Sequence, residues 1–163
     1  MVKFFRFFAF FAVVSFAGFV AAQGTNVTLG GLQVDPSAAV EVTADSLTVD
    51  QETGSAVFAG NVLIRQGDVR IAAGQVEIIY GADTSQIDRL TATGGVTFVT
   101  ATEAAEAAEA DYNIAEGELV LRGNVLLTQG ASAISAELMI VDLTTGAARM
   151  EGQVRTILQQ SGN

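Results

Sequence analysis

The sequence contains no cysteine and no histidine, and its one proline is Pro36. Without cysteine there is no disulfide, no thiol nucleophile and no thiolate ligand for a metal. Without histidine the Ser-His and Cys-His pairs of nucleophilic catalysis fall away, as do zinc sites of the usual composition. Carboxylates remain, and these could bind calcium or act as a glycosidase pair. They are scattered singly, with no D-x-D-x-D-G loop, which is the pattern of a solvated face. No enzyme, metal site or cofactor is therefore expected.

Positive charge is scarce as well. Beyond residue 22 there is no lysine, only Arg65, Arg70, Arg89, Arg122, Arg149 and Arg155. Six arginines against 18 carboxylates give residues 23–163 a formal charge of −12. Such a chain offers phosphates no basic patch, which excludes nucleic acid as a partner, and bare anionic membranes repel it.

The N-terminus has three parts. Lys3 and Arg6 supply positive charge, Phe7 to Val20 is apolar, and Val20 and Ala22 suit the −3 and −1 positions of a signal-peptidase site. That is the layout of a secretory signal peptide, with cleavage expected after Ala22. The run is shorter than the roughly 20 residues of a membrane-spanning helix; the alternative is an uncleaved anchor. The chain divides into a signal peptide (1–22), a flexible N-terminal segment (23–39), one β domain (40–158) and a short tail (159–163).

The remainder is rich in Val, Ile, Leu, Thr and Gly. Apolar and polar residues alternate, as in Val40-Glu41-Val42-Thr43-Ala44 and Ile134-Ser135-Ala136-Glu137-Leu138-Met139-Ile140. Period two indicates strands with one buried face. The alternation is also repeated. Gly60-Asn61-Val62-Leu63-Ile64-Arg65-Gln66-Gly67 recurs as Gly123-Asn124-Val125-Leu126-Leu127-Thr128-Gln129-Gly130, with weaker copies beginning at Gly94 and Gly152. Between these lies a second pattern: Ala44, Leu47, Val49; Ala73, Val76, Ile78; Ala107, Ala110, Tyr112; Ala136, Met139, Val141. Each set runs into a turn candidate, at Asp50 to Gly54, Gly81 to Thr84, Asn113 to Gly117 and Asp142 to Gly146. The unit is about thirty residues long. A glycine at a fixed point of each unit predicts a bend or bulge. The expected form is an all-β jellyroll, an antiparallel sheet of repeated hairpins folded over an open apolar groove.

Thr102 to Ala110 departs from this composition. Ala and Glu favour helix, but Ala107, Ala110 and Tyr112 keep the phase of the other copies, which predicts strand.

These motifs carry a family resemblance. Val40 to Asp45, Phe58-Ala59-Gly60-Asn61-Val62, Gln66-Gly67 and Ile71-Ala72-Ala73, followed by Leu121 to Val125 and Gln129-Gly130, resemble the LptA/OstA-like family of lipopolysaccharide-transport proteins. The resemblance covers roughly Val40 to Leu158. It implies a periplasmic protein of Gram-negative bacteria with a jellyroll groove that shelters lipopolysaccharide acyl chains. It implies partners too: LptC-like inner-membrane and LptD-like outer-membrane jellyrolls, and head-to-tail self-association. An LptC-like anchored partner and a structural β-repeat protein are the alternatives.

On this reading the groove is lined by Val42, Phe58, Val62, Ile64, Ile71, Val76, Ile78, Leu90, Val96, Phe98, Tyr112, Leu121, Val125, Leu127, Ile134, Leu138, Ile140 and Met150. Docking falls to edge strands carrying Val40, Val42 and Ala44 at one end and Val154 and Ile157 at the other. Arg70 and Arg149 are candidates to meet a phosphate at the groove rim. Mass spectrometry of the exported protein checks the leader: a chain beginning at Gln23 is expected, and one retaining residues 1–22 would identify the anchored alternative.

Overall fold

In the computed structural model, residues 25–28, 39–81 and 86–157 are described; the signal-peptide and tail expectations lie outside them. All regular structure among these residues is strand: β1 (Thr25–Thr28), β2 (Glu41–Thr43), β3 (Ser46–Asp50), β4 (Ser55–Gln66), β5 (Val69–Tyr80), β6 (Ile87–Thr93), β7 (Val96–Val99), β8 (Glu103–Ala107), β9 (Glu109–Asn113), β10 (Glu118–Gln129), β11 (Ser132–Asp142), β12 (Ala147–Glu151) and β13 (Arg155–Ile157). The Ala/Glu segment is β8 and β9, so partners on both sides override its helical propensity. Thr25–Thr28, inside the stretch expected to be flexible, is β1, because the outer edge of β12 offers it a ladder.

Every strand pairs antiparallel, and one crease crosses the whole sheet. On alternate strands the crease passes through two consecutive residues in the left-handed region: Gly60-Asn61 (φ 81° and 47°), Gly94-Gly95 (81° and 83°), Gly123-Asn124 (80° and 50°) and Gly152-Gln153 (77° and 48°). Between them stand the single residues Asp45, Gly74, Ala108 and Glu137. The backbone closes the crease by hydrogen bonds: Asp45 N–H to Gly60 O at 2.9 Å, Gly95 N–H to Ala108 O at 3.2 Å, Ala108 N–H to Gly123 O at 2.9 Å, and Glu137 N–H to Gly152 O at 3.0 Å. Two residues opposite one is a β-bulge, which bends the sheet. The register accordingly shifts between Ala59 and Val62 and between Arg122 and Val125.

The crease divides the sheet into two leaves. The first holds β2, the far half of β4, the near half of β5, β7, β8, the far half of β10, the near half of β11, and β13. The second holds β3, the other halves of those long strands, β6, β9, β12 and β1. Strands with a Gly pair keep their inward set in step through the crease (Ala56, Val62, Ile64). Strands with a single crossing residue step by three (Ala73 to Val76, Ala107 to Ala110, Ala136 to Met139). Both leaves thereby turn an apolar face inward, and Val62, Val76, Val125, Leu121, Met139 and Met150 are at most 1% exposed between them. Each such side chain contributes roughly 1.5–3 kcal/mol.

The hairpin ends are built from short polar side chains. Asp50 Oδ1 accepts from the amides of Glu52 and Thr53 at 2.8 and 3.2 Å, and Asp142 Oδ1 from Thr144 and Thr145 at 2.8 and 3.0 Å. Those amide bonds, first Thr53 for Asp50 and Thr145 for Asp142, hold both carboxyls below their ordinary range.

Glycine at the crease is required twice over. A Cβ on Gly123 would lie 2.9 Å from the Ala108 Cβ and would carry φ 80°. At Gly67, in a hairpin with φ 56°, a Cβ would meet nothing within 4 Å. Gly67→Ala is expected to cost about 1–2 kcal/mol, the left-handed penalty alone, and Gly123→Ala distinctly more. Urea unfolding of the two variants measures the difference.

Candidate lipid groove

The inward faces of the leaves form continuous rows across the sheet. One in the first leaf passes through Val42, Ile64, Ile71, Phe98, Ala105, Leu127 and Ile134 by cross-strand pairing. One in the second passes through Leu47, Phe58, Val76, Ala92, Ala110, Leu121, Met139 and Met150.

The space between the rows is uneven. Toward the end built from β2 to β6, a cavity of about 320 Å³ opens between the leaves, at the lower end of the roughly 300–1,000 Å³ of small-molecule sites. Its walls are Ile64, Val69 and Ile71 from the first leaf and Val76, Leu90, Ala92, Ala110, Tyr112 and Leu119 from the second; Val40, Gln66, Gln86, Ile87 and Ile114 complete the lining. Ala92 and Ala110, paired across β6 and β9, stand where the same row elsewhere carries Phe58, Leu121 and Met139. The volume they do not fill is part of the cavity. Toward the other end, Phe98, Leu121, Leu127, Met139 and Val141 pack around a void of only about 10 Å³.

Of the residues expected in the groove, Ile64, Ile71, Val76, Leu90 and Tyr112 line this cavity. Val62, Ile78, Val96, Phe98, Leu121, Val125, Leu127 and Met150 are closed core, at most 4% exposed. Val42, Phe58 and Ile134 are half-buried members of the inner rows. Leu138 and Ile140 are a correction. They alternate with Met139 and Val141, each 1% exposed, and therefore face outward. The period-two run from Ile134 looks unbroken, but the crease falls at Glu137 and shifts the inward set by one. Val69, Ala92, Ala110 and Leu119 were absent from the expected lining, although Ala110 already belonged to the i, i+3, i+5 repeat.

The rim arginines are corrected too. Arg70 alternates with Val69 and Ile71 of the cavity wall, so it lies on the outer face. Arg149 lies beside the fully buried Met150, faces outward, and pairs with Glu151 at 2.6 Å. Among the described buried polar residues one is acidic. Glu103 is 4% exposed; it accepts from Thr100 Oγ1 at 2.8 Å and from Gln129 Nε2 at 3.1 Å, and it borders the small void beside Phe98. These bonds offset the cost of burying a carboxylate.

Residues 41–147 match the family model described as LptA/(LptD N-terminal domain) LPS transport protein. The chain belongs to this family. LptA-type proteins are transport proteins rather than enzymes, consistent with a chain that lacks cysteine and histidine. A protein of Rhizobium meliloti (strain 1021) described as uncharacterised is 27% identical over 143 residues, covering 83% of this chain and 77% of that protein. In fold, the chain is similar to LptH, the LptA-homologous periplasmic component of the lipopolysaccharide transport device of Pseudomonas aeruginosa. The TM-score is 0.70 at 16% identity, covering 78% of this chain and 99% of that one.

Within this LptA-type groove Tyr112 is a reporter. Burial raises its phenol above 10.0. The folded state therefore holds this proton more tightly than the unfolded state, so its contribution is intact below pH 10.0 and falls as pH rises through the native value. Tyr112→Phe is expected to remove that part of the alkaline loss of stability, read as the difference between urea midpoints near pH 8 and above pH 10.

Proposed function

We propose that this protein is an exported periplasmic bridge that shelters lipopolysaccharide acyl chains in the groove between its leaves. It would pass them from an LptC-like jellyroll at the inner membrane toward an LptD-like jellyroll at the outer membrane. The observation that carries this reading is the apolar cavity, open between two continuous rows of apolar side chains at the end where, among the described residues, β2 and β3 have no partner on their outer edges. An acyl chain in water loses roughly 0.8 kcal/mol per exposed methylene. A groove removes that cost along its length without a strong site at any point.

The edges support docking in series. At one end β2 and β3 each pair, among the described residues, only with β4, and Val40, Leu47 and Val49 are 46–61% exposed. At the other, β13 pairs, among the described residues, only with β11, and Ile157 is 54% exposed. Strand addition onto such edges uses backbone bonds for affinity. The crease suits head-to-tail self-association: it begins with a single residue, Asp45, and ends with a Gly pair, Gly152-Gln153. A second copy would continue the alternation, with its Asp45 beside Gln153 as Ala108 stands beside Gly95 within one chain. An acidic surface and outward arginines leave the lipid's head group in solvent, with recognition resting on the acyl chains.

Photo-crosslinkers placed at Ile64 and Leu90 are expected to label lipopolysaccharide in cells, and those at Leu138 and Ile140 are not. Ala110→Leu, which fills the cavity wall, is expected to cut labelling from Ile64 several-fold while the protein stays folded by circular dichroism. Lipid labelling at the outward positions equal to that at Ile64 would overturn the groove.

A further inference from the structure

β1 occupies the place a docking strand would take. It pairs antiparallel with β12, with Thr25 opposite Met150, Asn26 opposite Arg149, Val27 opposite Ala148 and Thr28 opposite Ala147. The crease fixes the register in which a second copy could add. Within the chain, the residue after a single crossing residue pairs with the residue before a Gly pair: Ser46 with Ala59, and Leu138 with both Arg122 and Glu151. Ser46 of a second copy therefore falls opposite Glu151, Leu47 opposite Met150, Thr48 opposite Arg149 and Val49 opposite Ala148. That is the register and direction of β1. Thr25-Asn26-Val27-Thr28 stands in for Leu47-Thr48-Val49-Asp50, and both put a valine opposite Ala148.

We propose that β1 is a displaceable cap that mimics β3, and that it closes the second leaf's terminal edge against a second copy of this chain until that copy's β3 replaces it. The inference rests on the head-to-tail reading above. The first leaf carries no such cap: β13 has no partner on its outer side among the described residues. A second copy could therefore dock β2 on β13 first and then displace β1 strand by strand. β1 is poorly placed to resist. It is four residues long and, among the described residues, pairs on one side only, whereas β3 is five residues and enters with β2 across the crease. Displacement also covers Leu47 and Val49, which are 54% and 61% exposed in the free protein. A self-capped edge keeps a long free ladder from pairing with unrelated strands.

The test uses the absence of cysteine. The same register puts Thr43 of a second copy opposite Arg155, since Thr43 pairs with Leu63, three residues after Gly60. One full-length exported chain carries Thr43→Cys and another Arg155→Cys; they are mixed with a short bifunctional maleimide, and the rate of heterodimer formation is followed. Asn26→Pro with Thr28→Pro, which removes backbone donors from β1, is added to either chain. On the Arg155→Cys chain, whose β12 edge receives the partner, the pair of prolines is expected to speed cross-linking roughly tenfold by raising the docking-competent fraction. On the Thr43→Cys chain it is expected to change nothing. Equal rates in all combinations would overturn the cap and leave head-to-tail docking standing. Acceleration only from the Thr43→Cys chain would overturn it too, because β1 would then act on the neighbour. No heterodimer in any combination would overturn the docking reading and the cap with it.

Discussion

A sheet of this length with apolar side chains on one face must either find a second layer or fold over on itself, and here it folds at a line of left-handed residue pairs. The crease is a backbone constraint before it is anything else. Gly60, Gly94, Gly123 and Gly152 carry φ of 77–81°, a region that costs a residue with a Cβ. Their neighbours Asp45, Gly74, Ala108 and Glu137 lie so close that an added Cβ would come within 2.4 to 3.2 Å. Because this line runs unbroken from the first strands to the last, the inward rows stay in register and the groove follows the crease.

Much of this was legible in the sequence. The two interleaved patterns, one stepping by two through a glycine and the other stepping by three after an alanine, are the two ways a strand crosses the bend. Both were visible as spacing. The strand state of β8 and β9 followed from phase against propensity. What misled was local: the alternation from Ile134 to Ile140 is perfect as a pattern, and only the pairing of Glu137 with the Gly152 carbonyl reveals that it changes face midway. The cavity was illegible for a different reason. A hydrophobic pattern marks what points inward but not how much of the interior is filled, and the open volume depends on two small residues, Ala92 and Ala110, falling side by side on the paired strands β6 and β9. The pairing of Thr25–Thr28 was equally hidden, since its ladder partner lies more than a hundred residues away.

Strong negative charge and an apolar interior are reconciled by which face each group takes. The arginines that were candidates for phosphate contact lie outside, and the carboxylate that enters the interior, Glu103, spends its acceptors on Thr100 and Gln129. The interior thus presents mainly hydrocarbon walls, with the hydrogen-bonded Glu103 and Thr100 beside the small void and Gln66 and Gln86 at the larger cavity, and the anionic exterior disfavours self-association through like-charge repulsion. An apolar chain can enter this groove without any group in it having to recognise a head group.

The spacing of the crease glycines has a metric consequence. Gly94, Gly123 and Gly152 are 29 residues apart, and each such interval lays down two strands in each leaf. At roughly 4.8 Å per strand, one unit adds close to 10 Å along the groove. The chain is in that sense a ruler whose graduations are glycines, and the length of groove one molecule supplies is written in the number of repeats rather than in any single side chain.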